Sequence, residues 1–251
     1  MTRRLAALAF ALGVAACSPP KDAAPAKSTL VVGIDVSGSF RQSGDYGPAI
    51  EFASLYIYGH LNGVDGLKRN TAIFIGELGG VKPGEAKTFH PIQDLTGKSP
   101  RQIEADLRAW FPQTDPVTDF NSFFERAAVH VKRNNLILSP LNVVLFSDGE
   151  PDFPGAGRLT ADQRYAKVDL SPLEYLSRSV TVRLLYADPP VAQLWERKVK
   201  RKRVRVWTQD AEVMRGWRRH LVPGYPIERQ DSLWSWVDKI VDTRVKKERV
   251  L

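Results

Sequence analysis

Short continuous apolar runs alternate along this chain with segments of helical period, and this alternation constrains the fold more than any other feature. Leu30-Val31-Val32-Gly33-Ile34, Thr71 to Leu78, Leu141 to Phe146 and Val180 to Tyr186 are unbroken or nearly unbroken apolar runs, as expected of strands buried on both faces. Val204 to Trp207 is a fifth strand, and Ala86 to His90 reads as a short edge strand. Between them the spacing predicts helices from Gly47 to Leu61, Pro100 to Phe111, Asp119 to Val131, Pro190 to Val199, Thr208 to Leu221 and Asp231 to Val245. The clearest is the third, with Phe120, Phe123, Phe124, Ala127, Ala128 and Val131 on one face. Strands alternating with helices imply an α/β fold: a Rossmann-like, doubly wound, mostly parallel sheet with helices on both faces. Ligands of such sheets bind beyond the carboxyl ends of the strands, so the loops after Ile34, Phe146 and Tyr186 are where chemistry is expected.

The first residues read as an address. Arg3 and Arg4 precede an apolar run from Leu5 to Ala16, which is short for a bilayer span but suits the apolar region of a signal peptide. The run ends in Val14-Ala15-Ala16-Cys17, and Cys17 is the chain's one cysteine. This resembles the lipobox of bacterial lipoproteins, in which the Cys becomes lipidated and N-terminal. The resemblance implies an acyl anchor in the lipid bilayer, hence a cell-envelope location. In a Gram-negative host, Ser18 after the Cys favours the outer membrane, facing the periplasm. Ser18 to Lys27 is rich in Pro and Ala and reads as a tether. The expected organisation is therefore a signal peptide (1–16), a lipidated Cys with its tether (17–28) and one domain (29–251). A single Cys also excludes a disulfide framework and thiolate zinc sites.

Three segments at element ends carry oxygen ligands. Asp35-Val36-Ser37-Gly38-Ser39 follows the first strand, Pro116-Val117-Thr118-Asp119 precedes the strongest helix, and Ser147-Asp148-Gly149-Glu150-Pro151-Asp152 follows the third core strand. They supply carboxylates and hydroxyls without imidazole or thiolate, a set that suits Mg²⁺ or Mn²⁺. They resemble the von Willebrand factor A (vWA) domain with its metal-ion-dependent adhesion site, whose pattern is Asp-x-Ser-x-Ser, a distant Thr and a later strand-end Asp. Asp35, Ser37 and Ser39 match the first part, Thr118 the second and Asp148 the third; Val117 stands where many members have Gly. The resemblance implies that Ser37, Ser39 and Thr118 supply hydroxyl oxygens while Asp35 and Asp148 act partly through water. It further implies that a protein partner with an exposed acidic residue completes the shell, and that the protein is not an enzyme.

Other signals are weaker. Gly97-Lys98-Ser99 lacks the upstream Gly and strand of a phosphate loop, so no nucleotide is expected. No Gly-x-Ser-x-Gly elbow accompanies the four His residues, which read as packing or surface groups. A metal-dependent hydrolase would need a base near the ion, and Glu150 or Asp152 is the candidate. Lys198 to Arg205 holds six basic residues in eight within a chain of net charge +8. It reads either as a charge-protected edge strand or as a polyanion site.

Overall fold

The computed structural model describes residues 28–79 and 87–243. The proposed signal peptide, Cys17 and the tether up to Lys27 lie outside the described residues. Within them, β1 (Thr29–Ile34), β2 (Ala72–Glu77), β3 (His90–Pro91), β4 (Leu141–Phe146), β5 (Val180–Ala187) and β6 (Val204–Asp210) form one sheet in the order β3-β2-β1-β4-β5-β6. All neighbours run parallel except β2 and β3. This is the doubly wound arrangement expected from the sequence.

The alternation of side chains along β1 divides the core. Leu30, Val32 and Ile34 join one apolar cluster with α2 (Tyr46–Asn62), α3 (Pro100–Trp110), α7 (Ala211–Arg215) and α8 (Asp231–Trp236). Val31 joins the other, with α4 (Phe120–Arg133), α5 (Ala161–Ala166) and α6 (Pro189–Lys198). Both faces of the sheet are therefore covered, and every residue of β1 and β5 is buried. That is why these strands read as continuous apolar runs. Gly63, left-handed at φ 67°, ends α2 where Asn62-Gly63 predicts a stop. Trp195, Trp217 and Trp234 are fully buried, as their spacing suggests.

Three expectations shift. The edge strand read at Ala86 to His90 forms instead at His90–Pro91, with Ala86 outside the described residues. Lys87 turns inward to an acidic pair and Phe89 packs on Phe123, so neither presents a strand face to solvent. The helix read from Thr208 begins only at Ala211, because Thr208 and Gln209 continue β6 in register with Leu184 and Leu185. Asp210 then caps α7, its Oδ1 accepting the Glu212 amide at 2.7 Å. The last helix runs as α8 and then widens into a π turn over Val237–Val241. Arg244 and Val245, at the end of the helix read from the sequence, lie outside the described residues. Two short helices, α1 (Gly38–Gln42) and α5, have too few turns to show a period in the sequence.

Candidate metal centre

The chain leaves β1 toward β2 on one side and β4 toward β5 on the other, so the sheet's switch point lies between β1 and β4. Their carboxyl ends carry the two carboxylates read from the sequence. Asp35 follows β1, and its amide donates to the Phe146 carbonyl of β4 at 3.0 Å. Its side chain is fully buried. Oδ1 accepts the Ser37 amide at 2.8 Å, and Oδ2 accepts the Ser147 hydroxyl at 2.5 Å. Ser147 Oγ in turn accepts the Gly149 amide at 2.9 Å, which fixes the turn carrying Asp148.

The hydroxyls continue the row. Ser37 Oγ and Ser39 Oγ lie 3.2 Å apart, and Ser39 Oγ donates to Asp148 Oδ2 at 3.1 Å. Ser37 also caps α1, accepting the Phe40 amide, so its rotamer is set by the helix it starts. Thr118 arrives from a third loop. That loop is joined to the first by the Asp115 amide bonding the Val36 carbonyl at 3.0 Å. It is joined to the β4 loop by the Asp152 amide bonding the Thr118 carbonyl at 3.0 Å. Ser37, Ser39 and Thr118 line one cavity of about 350 Å³, together with Asp115, Glu150, Asp152 and Arg164. Asp35 and Asp148 connect to that cavity through Ser37 and Ser39.

The electrostatics of the pair are unfavourable as they stand. Burial, and then the charge of Asp148, push the Asp35 carboxyl up to about 7 despite the bonds from Ser147 and Ser37. Burial also raises Asp148, opposed by bonds from the Glu150 amide and Ser39 and reinforced by Asp188. Hydroxyls compensate a carboxylate charge only in part. A divalent cation at this place would reverse the balance, and the donor set of two carboxylates and three hydroxyls fits a hard, oxygen-preferring ion. Among the described residues no group of three or more His, Cys, Asp and Glu is placed to hold a metal ion, so a cation here would depend on the three hydroxyls as much as on the two carboxylates.

Two further residues belong to the centre and escape sequence reasoning. Ser147 is one. The other is Asp115, whose Oδ1 accepts the Val117 amide at 3.0 Å while Oδ2 meets Lys87 Nζ at 2.7 Å. Lys87 also lies 3.1 Å from Glu77 Oε1 and is almost wholly buried. Asp115 thus turns the Thr118 loop from its own side chain. Val117 is not among the residues of positive φ, so a non-glycine residue before Thr118 is accommodated. An Asp immediately before Pro116 was the available signal.

Of the remaining candidates, only the two acidic ones reach the cavity. Glu150 and Asp152 are exposed on the cavity rim. None of the four His lines the cavity: His60 meets Asp242, His90 stacks on Trp110, His130 packs on Phe74, and His220 stacks on Trp236. In the basic run, Lys198 pairs with Asp162 and Arg201 bonds carbonyls at the end of α6. Lys202, Arg203 and Arg205 are exposed along the outermost strand, β6, and the approach to it.

No family model and no curated protein sequence matches the chain. Among solved structures it is similar to the pilus adhesin SpaC of Lactobacillus rhamnosus GG in an open conformation, at 10% identity over 76% of this chain with a TM-score of 0.49. It spans only 29% of SpaC. It is similar to the manganese-loaded TRAP protein of Plasmodium vivax at 12% identity, over 75% of this chain and 70% of that one, with a TM-score of 0.45. It is also similar to the SpRpn10 VWA domain at 12% identity, over 74% of this chain and 89% of that one, with a TM-score of 0.39. At such identities chemistry has to come from this chain's own residues.

Proposed function

We propose that the chain is a lipid-anchored envelope protein whose vWA-like domain binds a protein partner through a divalent cation, Mg²⁺ or Mn²⁺. The observation that carries this reading is the hydrogen-bonded row Asp35–Ser37–Ser39–Asp148, which ends at a cavity that Thr118 also lines. Ser37, Ser39 and Thr118 would hold the ion directly, with Asp35 and Asp148 balancing its charge from behind. The ion would supply a concentrated positive charge to a partner's carboxylate at the cavity mouth. Ser147 and Asp115 keep the three loops in place. Binding without turnover is the simpler role, since it asks no proton transfer of Glu150 or Asp152, which line the same cavity. Cys17 would carry the acyl anchor.

Thermal unfolding with EDTA and then with Mg²⁺ or Mn²⁺ tests the centre. Millimolar metal should raise the unfolding temperature of the wild type and leave Asp148→Ala unchanged, as a ligand bound only to the folded state requires. An equal response in both proteins would sink the assignment. Capture of a partner that is lost with EDTA and with Asp148→Ala would support adhesion, and mass spectrometry of the mature N-terminus would show whether Cys17 is acylated.

A further inference from the structure

The end of the sheet opposite the metal centre combines three properties that the proposed function leaves unused. Thr29, Ala72, Leu141, Val180 and Val204 stand in one row of register, so the segments preceding β1, β2, β4, β5 and β6 share one rim. That rim is strongly basic. Residues 64–71, 132–140, 174–179 and 200–203 hold nine Lys and Arg against two acidic residues, a balance of +7 in a chain whose total is +8. Around the metal centre the sign inverts: residues 35–37, 114–119, 147–152, 188 and 210–212 hold nine acidic residues, with Lys87 and Arg164 as cations beside them.

The same rim exposes large apolar side chains. Leu138 is 70% exposed, Tyr175 71% and Ile137 47%. They are contiguous with one another and with the charge: the Leu138 amide bonds the Leu176 carbonyl at 2.8 Å, and the Arg203 guanidinium lies 5.5 Å from the Tyr175 ring centroid. Leu138 holds its place in the left-handed backbone region, φ 76°, which leucine rarely adopts. Finally, the chain enters the domain at this rim, the Thr29 amide bonding the Pro140 carbonyl at 2.9 Å, two residues from Leu138. Cys17 precedes Ser28 by eleven residues.

We infer that this rim is a docking surface for an anionic lipid bilayer: Ile137, Leu138 and Tyr175 enter the headgroup region while the surrounding Lys and Arg face anionic headgroups. Apolar side chains ringed by cations bind an interface through both burial and charge, and an aromatic with a polar tip suits the headgroup level. The negative potential of such a membrane repels the acidic end and attracts the basic one. The domain then stands on the bilayer with its strands pointing outward, and the metal centre faces away from the lipid, about 20 Å higher, the length of six-residue strands. The inference adds an orientation to the anchored reading, but the surface is testable without the anchor.

Cys17 is the sequence's only cysteine, so the full chain carrying Cys17→Ser accepts a single label and no acyl group. An environment-sensitive fluorophore is attached at Ile137→Cys on the rim or at Glu212→Cys, exposed at the opposite end. Vesicles of phosphatidylglycerol with phosphatidylcholine should blue-shift the label at residue 137 and not the one at 212. Pure phosphatidylcholine should give a smaller effect. Lys202→Glu with Arg203→Glu should weaken vesicle partitioning of the 137-labelled chain by about tenfold or more. No shift at 137, an equal shift at 212, or partitioning indifferent to the two reversals would overturn the inference. An unmodified Cys17 in the cell-derived protein would remove the anchor while leaving these readings intact.

Discussion

Ser147 Oγ donates to Asp35 Oδ2 at 2.5 Å, a bond between residues 112 apart in sequence that ties the ends of β1 and β4 together at the switch point. The same oxygen accepts the Gly149 amide. One hydroxyl therefore positions both carboxylates of the candidate centre without itself lining the cavity. Ser147→Ala removes a donor to a buried carboxylate and should cost about 1–3 kcal/mol in urea unfolding. It should also weaken metal binding measured by titration calorimetry. A variant as stable as wild type with full metal affinity would show that Asp35 is held by its other contacts alone.

Gly149 should be equally sensitive for a different reason. It sits at φ 82°, and an added Cβ would lie 2.5 Å from Leu184 Cδ2 and 3.0 Å from Val191 Cγ1. Its carbonyl also accepts the Trp195 indole N–H at 2.8 Å, anchoring the turn to α6. Gly149→Ala must move this turn or the packing beneath it. About 1–2 kcal/mol of left-handed backbone cost is expected, with the steric term in addition. The thermal response to Mg²⁺ should fall with it. Retention of both stability and response would mean the turn relocates without disturbing Asp148.

Asp115 tests whether the Thr118 loop needs its side chain. Asp115→Asn keeps the acceptor for the Val117 amide but removes the charge facing buried Lys87. Glu77 remains near that lysine. Loss of one carboxylate from a buried pair should destabilise the domain by about 3 kcal/mol in chemical denaturation. Asp115→Ala loses the turn bond as well and should lower metal affinity further than Asp115→Asn does. Equal affinity in the two variants would assign Asp115 to the ion pair only.

The sheet's central strands were legible because burial on both faces leaves LVVGI unbroken and LNVVLF interrupted only by the half-buried Asn142. Edge strands lack that signature. β3 has two residues, and β6 carries the half-buried polar pair Thr208 and Gln209 near its end, so its last residues read as the start of a helix. Asp35, Ser37, Ser39 and Asp148 could be read because they are crowded into two strand-end loops. Ser147 and Asp115 escape that reading because each, besides bonding an amide two residues on, is fixed by a partner distant in sequence, Asp35 in one case and Lys87 in the other. No local period encodes such a contact. The same holds for the Asp242 cluster, which joins the last turn to α2 and β5.

That cluster gives the pH dependence. Asp242 Oδ1 accepts the Tyr56 hydroxyl at 2.7 Å, Oδ2 lies 2.9 Å from His60 Nε2, and the Arg183 guanidinium donates to the Asp242 carbonyl at 2.8 Å. Burial alone would raise the Asp242 carboxyl, but His60, then Arg183 and the Tyr56 bond, hold it below the usual carboxylate range. A carboxyl whose folded value is depressed binds protons more readily when unfolded. Its stabilisation is complete above the unfolded value of about 3.9 and drains away as pH falls through the folded one. Asp242→Asn should therefore lower unfolding free energy by about 2 kcal/mol across neutral pH. The gap from wild type should narrow below about pH 4. Urea titrations of both proteins at several pH values would show this. A gap that stays constant into acid would mean that Asp242 contributes packing and neutral hydrogen bonds, and that its charge does not fasten the last turn to the sheet.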